Sequence, residues 1–359
     1  MIRLTALAVL AASLLGSSAS AATVTPVMTG LDNPRGLAFG PNGALYVAEG
    51  GRGGPDPPCR VARGMMQCFG ATGAISRLRD GVQEKWLTGL PSLAPADGVE
   101  AEGGPQDIAF QFRTNPFFGR NDAYVTMGLG GSPAGRALLG SAGTLMGKLL
   151  KVSGARDITV VADIAAHEEA TNPAGGPIDS NPFGLLLLPR HRVVVDAGAN
   201  AVLAVVGGAV STLTAFPPRP NPTPIGPPFV DTVPTAAAIG PDGALYVSEL
   251  TGVPFLTGFA RIHRLGADGS TSVYATGLTT VVDLAFADDG TLYALQHASC
   301  GPFFACPGSI VQVGASAPHA VVHGGLSRPG GMTIGPGGAF YVSNMSASSG
   351  VGEVLRIVP

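Results

Sequence analysis

Charge is scarce in this chain of 359 residues. Asp, Glu, Lys and Arg make up 13% of it, and the formal net charge is −3. No stretch gathers Lys and Arg into a basic cluster, so nothing is built to track a phosphate backbone and nucleic acid is excluded as a partner. Cysteine is nearly as scarce: Cys59, Cys68, Cys300 and Cys306 are the four present. They include no Cys-x-x-Cys pair, and no His stands at zinc-finger spacing, which favours disulfides over a metal cluster. Three pairings are open to four cysteines; proximity favours Cys59–Cys68 and Cys300–Cys306, two staples in Gly/Pro-rich loops suited to an oxidising compartment. Long apolar runs are also missing. A spanning helix needs ~20 apolar residues, and no segment reaches that length without Gly, Pro or charge.

The N-terminus does carry a shorter run. Arg3 precedes apolar residues 4–15, and small residues follow, ending Ala19-Ser20-Ala21. This is the order of a secretory signal peptide, read over 1–21. The expected mature chain is 22–359, exported to the periplasm or the extracellular space, with no membrane span once the leader is cleaved.

Several chemical signatures are absent. There is no Gly-x-Ser-x-Gly elbow and no convincing Ser/His/Asp set. Gly50-Gly51-Arg52-Gly53-Gly54 is Gly-rich but leads into no helix, so it is not a phosphate cradle. His319 and His323 are four apart on an expected strand, not on one face of a helix. The run FPPRPNPTPIGPP (216–228) reads as a rigid linker, although such a run can also bind a partner in extended form.

What is abundant is punctuation, 53 glycines and 31 prolines, and it recurs. PNGALYVAE (41–49) returns as PDGALYVSE (241–249). Four clear copies of the unit occupy 33–49, 233–249, 281–296 and 328–344, and two worn ones occupy 104–127 and 181–197. Tyr46, Tyr124, Tyr246, Tyr293 and Tyr341 share one slot, which Val194 fills in the remaining copy. Each unit reads as strand, Gly turn, strand, then a third strand and in five units a fourth. The sixth unit lacks its fourth strand, and Met28-Thr29-Gly30-Leu31 echoes the segment 86–90 that completes the first. The termini then close one sheet. The expectation is all-β: a six-bladed β-propeller of four-stranded antiparallel blades, the last closed by the N-terminal strand. Its blades are expected at about 33–90, 104–164, 180–216, 233–278, 280–326, and 328–358 with 23–31. Small residues (Ala38, Ala109, Ala238, Ala285, Thr333) mark matching innermost positions. Helix is expected only as a short turn near Ala165–Ala170.

The long insertions fall at second-to-third-strand loops (50–72, 128–147, 250–259, 297–307) and blade-to-blade loops (91–103, 165–181, 217–233). In a propeller both kinds emerge on one face, which is then the candidate binding face. Glu49 and Glu249 end the second strands of opposed blades one and four. Asp107 and Asp283 lie at the start of the first strands of opposed blades two and five. These four are the candidate metal ligands, for Ca²⁺ or another divalent cation in the central channel. Arg35, Asp196, Asn200, Gln296, His297 and Asn344 complete the candidate ligand-binding rim. The competing reading is that acidic residues at strand ends cap loop N–H groups.

The phrases LDNPRGLAFGPNGALYVAEGG, DSNPFGLLLLPRHRVVVDAGAN, VDTVPTAAAIGPDGALYVSELTGVPF and VVDLAFADDGTLYAL together resemble the ScyD/ScyE family of exported propellers, over nearly the whole mature chain. The resemblance implies an exported six-bladed propeller related to NHL-type repeats and brings no catalytic residue set. Two functional classes stand. One is a binding module presenting its long-loop face to a small molecule, a glycan or an extracytoplasmic protein. The other is a propeller enzyme, either a metal-dependent hydrolase or lactonase or a quinone-linked sugar dehydrogenase. The Asn-Pro-x-Gly-Leu and Gly-Pro-Asp-Gly-x-Leu-Tyr-Val phrases are similar to those of such dehydrogenases. A histidine is missing, however, where GGPQDIAF (103–110) opens blade two.

Overall fold

The repeat resolves into six four-stranded antiparallel blades around an axis. The computed structural model describes residues 22–40, 43–62, 64–111 and 122–359; the leader read over 1–21 and the turn residues Pro41 and Asn42 lie outside them. Blade one is Pro34–Phe39, Leu45–Glu49, Met65–Arg79 and Val82–Ala94. Blade two is Gly104–Gln111, Asp122–Gly128, Lys148–Val152 and Ile158–Asp163. Blade three is Pro182–Leu187, Arg192–Asp196, Ala201–Val206 and Ala209–Ala215. Blade four is Pro234–Ile239, Leu245–Glu249, Ala260–Leu265 and Thr271–Leu278. Blade five is Val281–Phe286, Leu292–Gln296, Gly308–Gln312 and Ala320–Leu326. Blade six has Gly331–Ile334, Phe340–Asn344 and Gly352–Val358, and Thr23–Leu31 pairs antiparallel with the last of these, Met28 opposite Val354. Strands from the two ends of the chain thus complete one sheet.

The tyrosine slot explains how the blades pack. Each ring sits across its hairpin from a small residue: Tyr46 from Ala38, Tyr124 from Ala109, Tyr246 from Ala238, Tyr293 from Ala285, Tyr341 from Thr333. The small partner leaves room for the next blade, and three of the rings meet a phenylalanine of that blade's first strand. Tyr46 and Phe110 are 4.6 Å apart between centroids, Tyr246 and Phe286 5.0 Å, and Tyr341 and Phe39 5.0 Å. Such pairs contribute about 0.5–1.5 kcal/mol each beyond the area they bury. Where hydroxyls find partners they do so near the tight turns, as Tyr124 does from Arg192 at 2.6 Å.

Blade three departs from the expected slot. Leu187 pairs with Arg192 there, whereas Phe39 pairs with Leu45 in blade one. The turn is one residue shorter, so the register slips by one and every following side chain changes face. Val193, opposite Leu186, is the residue that packs toward blade four, while Val194 packs back toward Tyr124 of blade two.

Tight turns close the opposite face. In blade four Gly243 adopts φ +76°, a conformation that favours glycine, and Gly240 N–H donates to Ala244 O at 2.9 Å. On the long-loop face the insertions are partly structured. The segment expected as a loop at 50–72 contains a hairpin: Cys59–Ala62 pairs with the start of Met65–Arg79, Cys59 directly opposite Cys68. Helices Pro133–Ala137 and Ile164–Thr171 and the small ribbon Arg219–Pro220/Phe229–Val230 occupy three further insertions. Both proximal disulfides form, Cys59–Cys68 and Cys300–Cys306.

Candidate functional site

Five side chains end the second strands at equivalent register: Glu49, Asp196, Glu249, Gln296 and Asn344. They do not converge on the axis. Four of them latch the loop that leads into their own blade's first strand. Glu49 accepts from Asp32 N–H at 2.8 Å, Asp196 from Asn181 N–H at 2.6 Å, Gln296 from Thr279 N–H at 2.7 Å, and Asn344 from Ser327 N–H at 2.8 Å. The remaining carboxylate capacity of Glu49 turns outward along blade one, to Ser76 Oγ and Lys85 Nζ, each at 2.5 Å. Glu249 turns outward in the same way, to Arg219 at 2.6 Å and His263 Nε2 at 2.5 Å. The capping reading therefore describes four members of this ring, while Glu249 is met instead by His263 of its own blade and Arg219 of the linker that precedes it.

Asp107 and Asp283 do face the axis, from opposed blades, and each bridges to the next blade. Asp107 accepts from its own neighbour Ile108 N–H at 2.7 Å and from Leu185 N–H of blade three at 2.9 Å. Asp283 accepts from Leu284 N–H at 2.8 Å and from Met332 N–H of blade six at 2.7 Å. Gly36 makes room for the first of these: a Cβ there would lie 2.1 Å from Asp107 Oδ1. Burial, then the charge of Asp283, pushes the Asp107 carboxyl well above the usual range, and burial pushes Asp283 to about 7. The expected four-carboxylate metal site does not assemble. Among the described residues no group of three or more His, Cys, Asp or Glu is placed to hold a metal ion.

The concavity lies instead just above these strands, at the axial mouth on the long-loop face, with a volume of about 450 Å³. Its floor repeats one position, the residue after the opening proline or its equivalent in each blade: Arg35, Gln106, Phe183, Thr235 and Val282. Blade six has Gly330 there, where a Cβ would lie 2.5 Å from Ser346 Cβ. One wall is acidic, with Glu100, Glu102, Asp179 and Asp231 drawn from three successive blade-to-blade loops. The other is largely apolar: Leu250, Val253, Phe255 and Phe304. Phe255 and Phe304 stack at 4.1 Å, and the Cys300–Cys306 disulfide closes the loop that carries Phe304.

Of the rim residues expected from sequence, Arg35, Asn200 and His297 line this pocket; Glu49, Asp107, Asp196, Glu249, Asp283, Gln296 and Asn344 do not. Asn200 Oδ1 accepts from Val233 N–H at 2.8 Å and shapes the wall. Arg35 donates from Nη2 to Ala101 O at 2.9 Å, and its Nε has no partner. Burial lowers its pKa, against the raising effect of Glu102 and Glu100, and it remains a cation. His297 Nδ1 lies 2.9 Å from Pro329 O, an acceptor only, so Nδ1 carries the proton and Nε2 is left as an acceptor. Burial pushes this imidazole down to about 4, so it is neutral at ordinary pH. Burial and then the Asp179 charge raise Asp231. Two buried polar atoms of the lining lack partners: Gln106 Oε1, in a residue 2% exposed, and Thr251 Oγ1, in a residue 0% exposed. Gln106 and Phe183 were legible in principle, since they stand at the offset of Arg35 in their own repeats.

Fold and mouth together define the class, a six-bladed β-propeller with an axial pocket. No protein-family model matches the chain, and no curated protein matches it. Solved structures do share its fold. The soluble aldose sugar dehydrogenase of Escherichia coli, in its apo form, is 15% identical over 94% of this chain and 100% of its own, with a TM-score of 0.52. A luciferin-regenerating enzyme is 8% identical over 94% and 96%, with a TM-score of 0.53. A protein of unknown function from Bacteroides thetaiotaomicron is 10% identical over 94% and 76%, with a TM-score of 0.53. At these identities the likeness is one of fold.

Proposed function

We propose that this chain is an exported propeller of the ScyD/ScyE kind that binds a small molecule in its axial pocket. The observation that carries the reading is the pocket itself, about 450 Å³, within the range of roughly 300–1,000 Å³ that small-molecule sites occupy. Its walls come from the insertions, and its floor from the one first-strand position that varies most freely between repeats. Two disulfides suit an oxidising compartment and support the export reading.

Binding is favoured over catalysis by the state of the pocket histidine. A general base works best with a pKa near the operating pH, and His297 is held at about 4. It serves as a fixed hydrogen-bond acceptor rather than a proton acceptor. The test is a ligand-observed NMR screen of a small-fragment library against the mature chain and a Val282→Trp variant that fills the floor. The reading expects hits with the native protein that vanish in the variant, which still unfolds in one cooperative transition. Hits indifferent to Val282→Trp, or none at all, would overturn it.

A further inference from the structure

Resting on that pocket as the binding site, we infer that the Cys300–Cys306 disulfide is its redox-sensitive clasp. Oxidised, it holds the apolar wall in place; reduced by a dithiol, it lets that wall swing away. The bridge joins residues six apart, and the loop it closes carries Phe304 into the pocket lining. Phe304 ties three blades together. Its ring stacks at 4.1 Å on Phe255 of the blade-four insertion and meets the His297 ring edge-on at 5.0 Å. The Arg328 guanidinium, at the entry to blade six, lies 4.9 Å over it.

The backbone that presents this ring is held against its own preference. Phe303 and Phe304 adopt φ +55° and +57°, and Phe255 across the stack adopts +59°. Bulky residues enter the left-handed region only where their surroundings impose it. One restraint is docking on blade four, with Phe303 N–H on Pro254 O at 2.9 Å and Gly301 N–H on Thr257 Oγ1 at 2.8 Å. The approach is close enough that a Cβ on Gly301 would lie 1.8 Å from Phe255 O. The other restraint is the disulfide, which fixes both ends of the loop. Without it, Phe303 and Phe304 are free to return to negative φ, and the ring leaves Phe255.

The second disulfide supplies the contrast. Cys59 stands directly opposite Cys68 in a ladder that continues through Arg60–Gln67, Val61–Met66 and Ala62–Met65, so the hairpin keeps its shape with the sulfurs apart. Cys59 is half-buried, but Cys68 is 7% exposed and pairs on its other side with Ala94. None of the hairpin's described residues lines the pocket. Cys300 and Cys306 are both half-buried, among exposed Pro302, Phe303, Ala305 and Pro307. Accessible bridges are the ones that exchange. One thiolate of the dithiol attacks a sulfur and expels the other as a thiolate, and the second then breaks the mixed disulfide. Two electrons and two protons pass to Cys300 and Cys306, and the dithiol leaves as a disulfide.

The experiment titrates the full mature protein with dithiothreitol, blocks free thiols with iodoacetamide, and follows backbone amide exchange by mass spectrometry. Cys300 and Cys306 are expected to be alkylated at about tenfold less dithiothreitol than Cys59 and Cys68. At that point exchange in 250–259 and 300–306 should rise by about tenfold or more while the blade strands keep their protection. A Cys300→Ser/Cys306→Ser variant should show the open pattern with no dithiol, and Phe304→Leu should open 250–259 with the disulfide intact. Fragments that bind the native pocket should weaken by about tenfold on reduction. If the two bridges reduce together, or if 250–259 keeps its protection after reduction or in Phe304→Leu, the clasp is overturned. Exchange that rises through all six blades also overturns it, because the bridge is then a staple of the whole fold. So do fragments that stay bound to the reduced protein. If the screen gives no hits, the pocket reading falls, and the exchange comparison alone decides the clasp.

Discussion

Blades one and four are written from almost the same residues, PNGALYVAE and PDGALYVSE, and yet their terminal glutamates live in different company. Glu49 is met by Ser76 and by Lys85, whose side chain is 41% exposed and keeps much of its hydration. Glu249 is met by Arg219, 14% exposed, and by His263, 9% exposed. Arg219 comes from the Pro-rich linker and also stacks 4.1 Å over Phe259. The same slot is thus a surface-linked cap in one blade and a buried anchor for an inter-blade linker in the other. A repeat conserves where a side chain starts; the neighbouring insertion decides what it does.

That contrast can be broken experimentally, beginning with the anchor. Glu249→Ala leaves a mostly buried guanidinium without its counter-charge, and the expected loss is about 3–5 kcal/mol in chemical denaturation. Cleavage by protease within 217–228 should accelerate in the same variant. Equal losses for Glu49→Ala and Glu249→Ala would erase the distinction. Glu49→Ala should cost less, about 1–3 kcal/mol, since Lys85 can retreat into water while Asp32 N–H and Ser76 Oγ lose a partner.

A third variant sharpens the comparison by moving to the axis, where a carboxylate has no cation at all. Asp283 is raised to about 7 in the folded state, so its contribution is present below the ordinary carboxylate range and lost as pH rises through about 7. The native protein should therefore lose stability between about pH 4 and 7, and Asp283→Asn should flatten that slope in thermal melts. A slope unchanged by the variant would assign the loss to other buried acids, of which Glu168, also raised to about 7 by burial and then Asp196, is the first to try. Smallest of all is Lys85→Met, expected within about 1 kcal/mol of the native protein.

The architecture was legible because a propeller states its core repeatedly: a tyrosine opposite a small residue and a Gly turn, with the fourth strand of the last blade echoed near residue 28. The slip of Val194 for Val193 came from a turn shortened by one residue, which changes register without changing the look of the strand. The site was legible only in or beside the repeated strands, at Arg35, Asn200 and His297. Glu100, Asp179, Asp231 and Phe255 sit in insertions that occur once each, so no periodicity marks them. The carboxylates that did stand out were those at repeated strand ends, and repetition there signals a latch.

Closure of the ring also sets a schedule. Thr23–Leu31 must wait for Gly352–Val358 before it has a partner, and roughly 320 residues separate them, about 15–60 s of synthesis at ~5–20 residues per second. For that interval a nine-residue strand is available to any passing sheet edge. It carries Pro26 near its middle, a residue that cannot donate to a ladder and discourages foreign pairing. The same proline, which in the finished sheet stands opposite Leu355 just before a register shift, guards the strand while it waits.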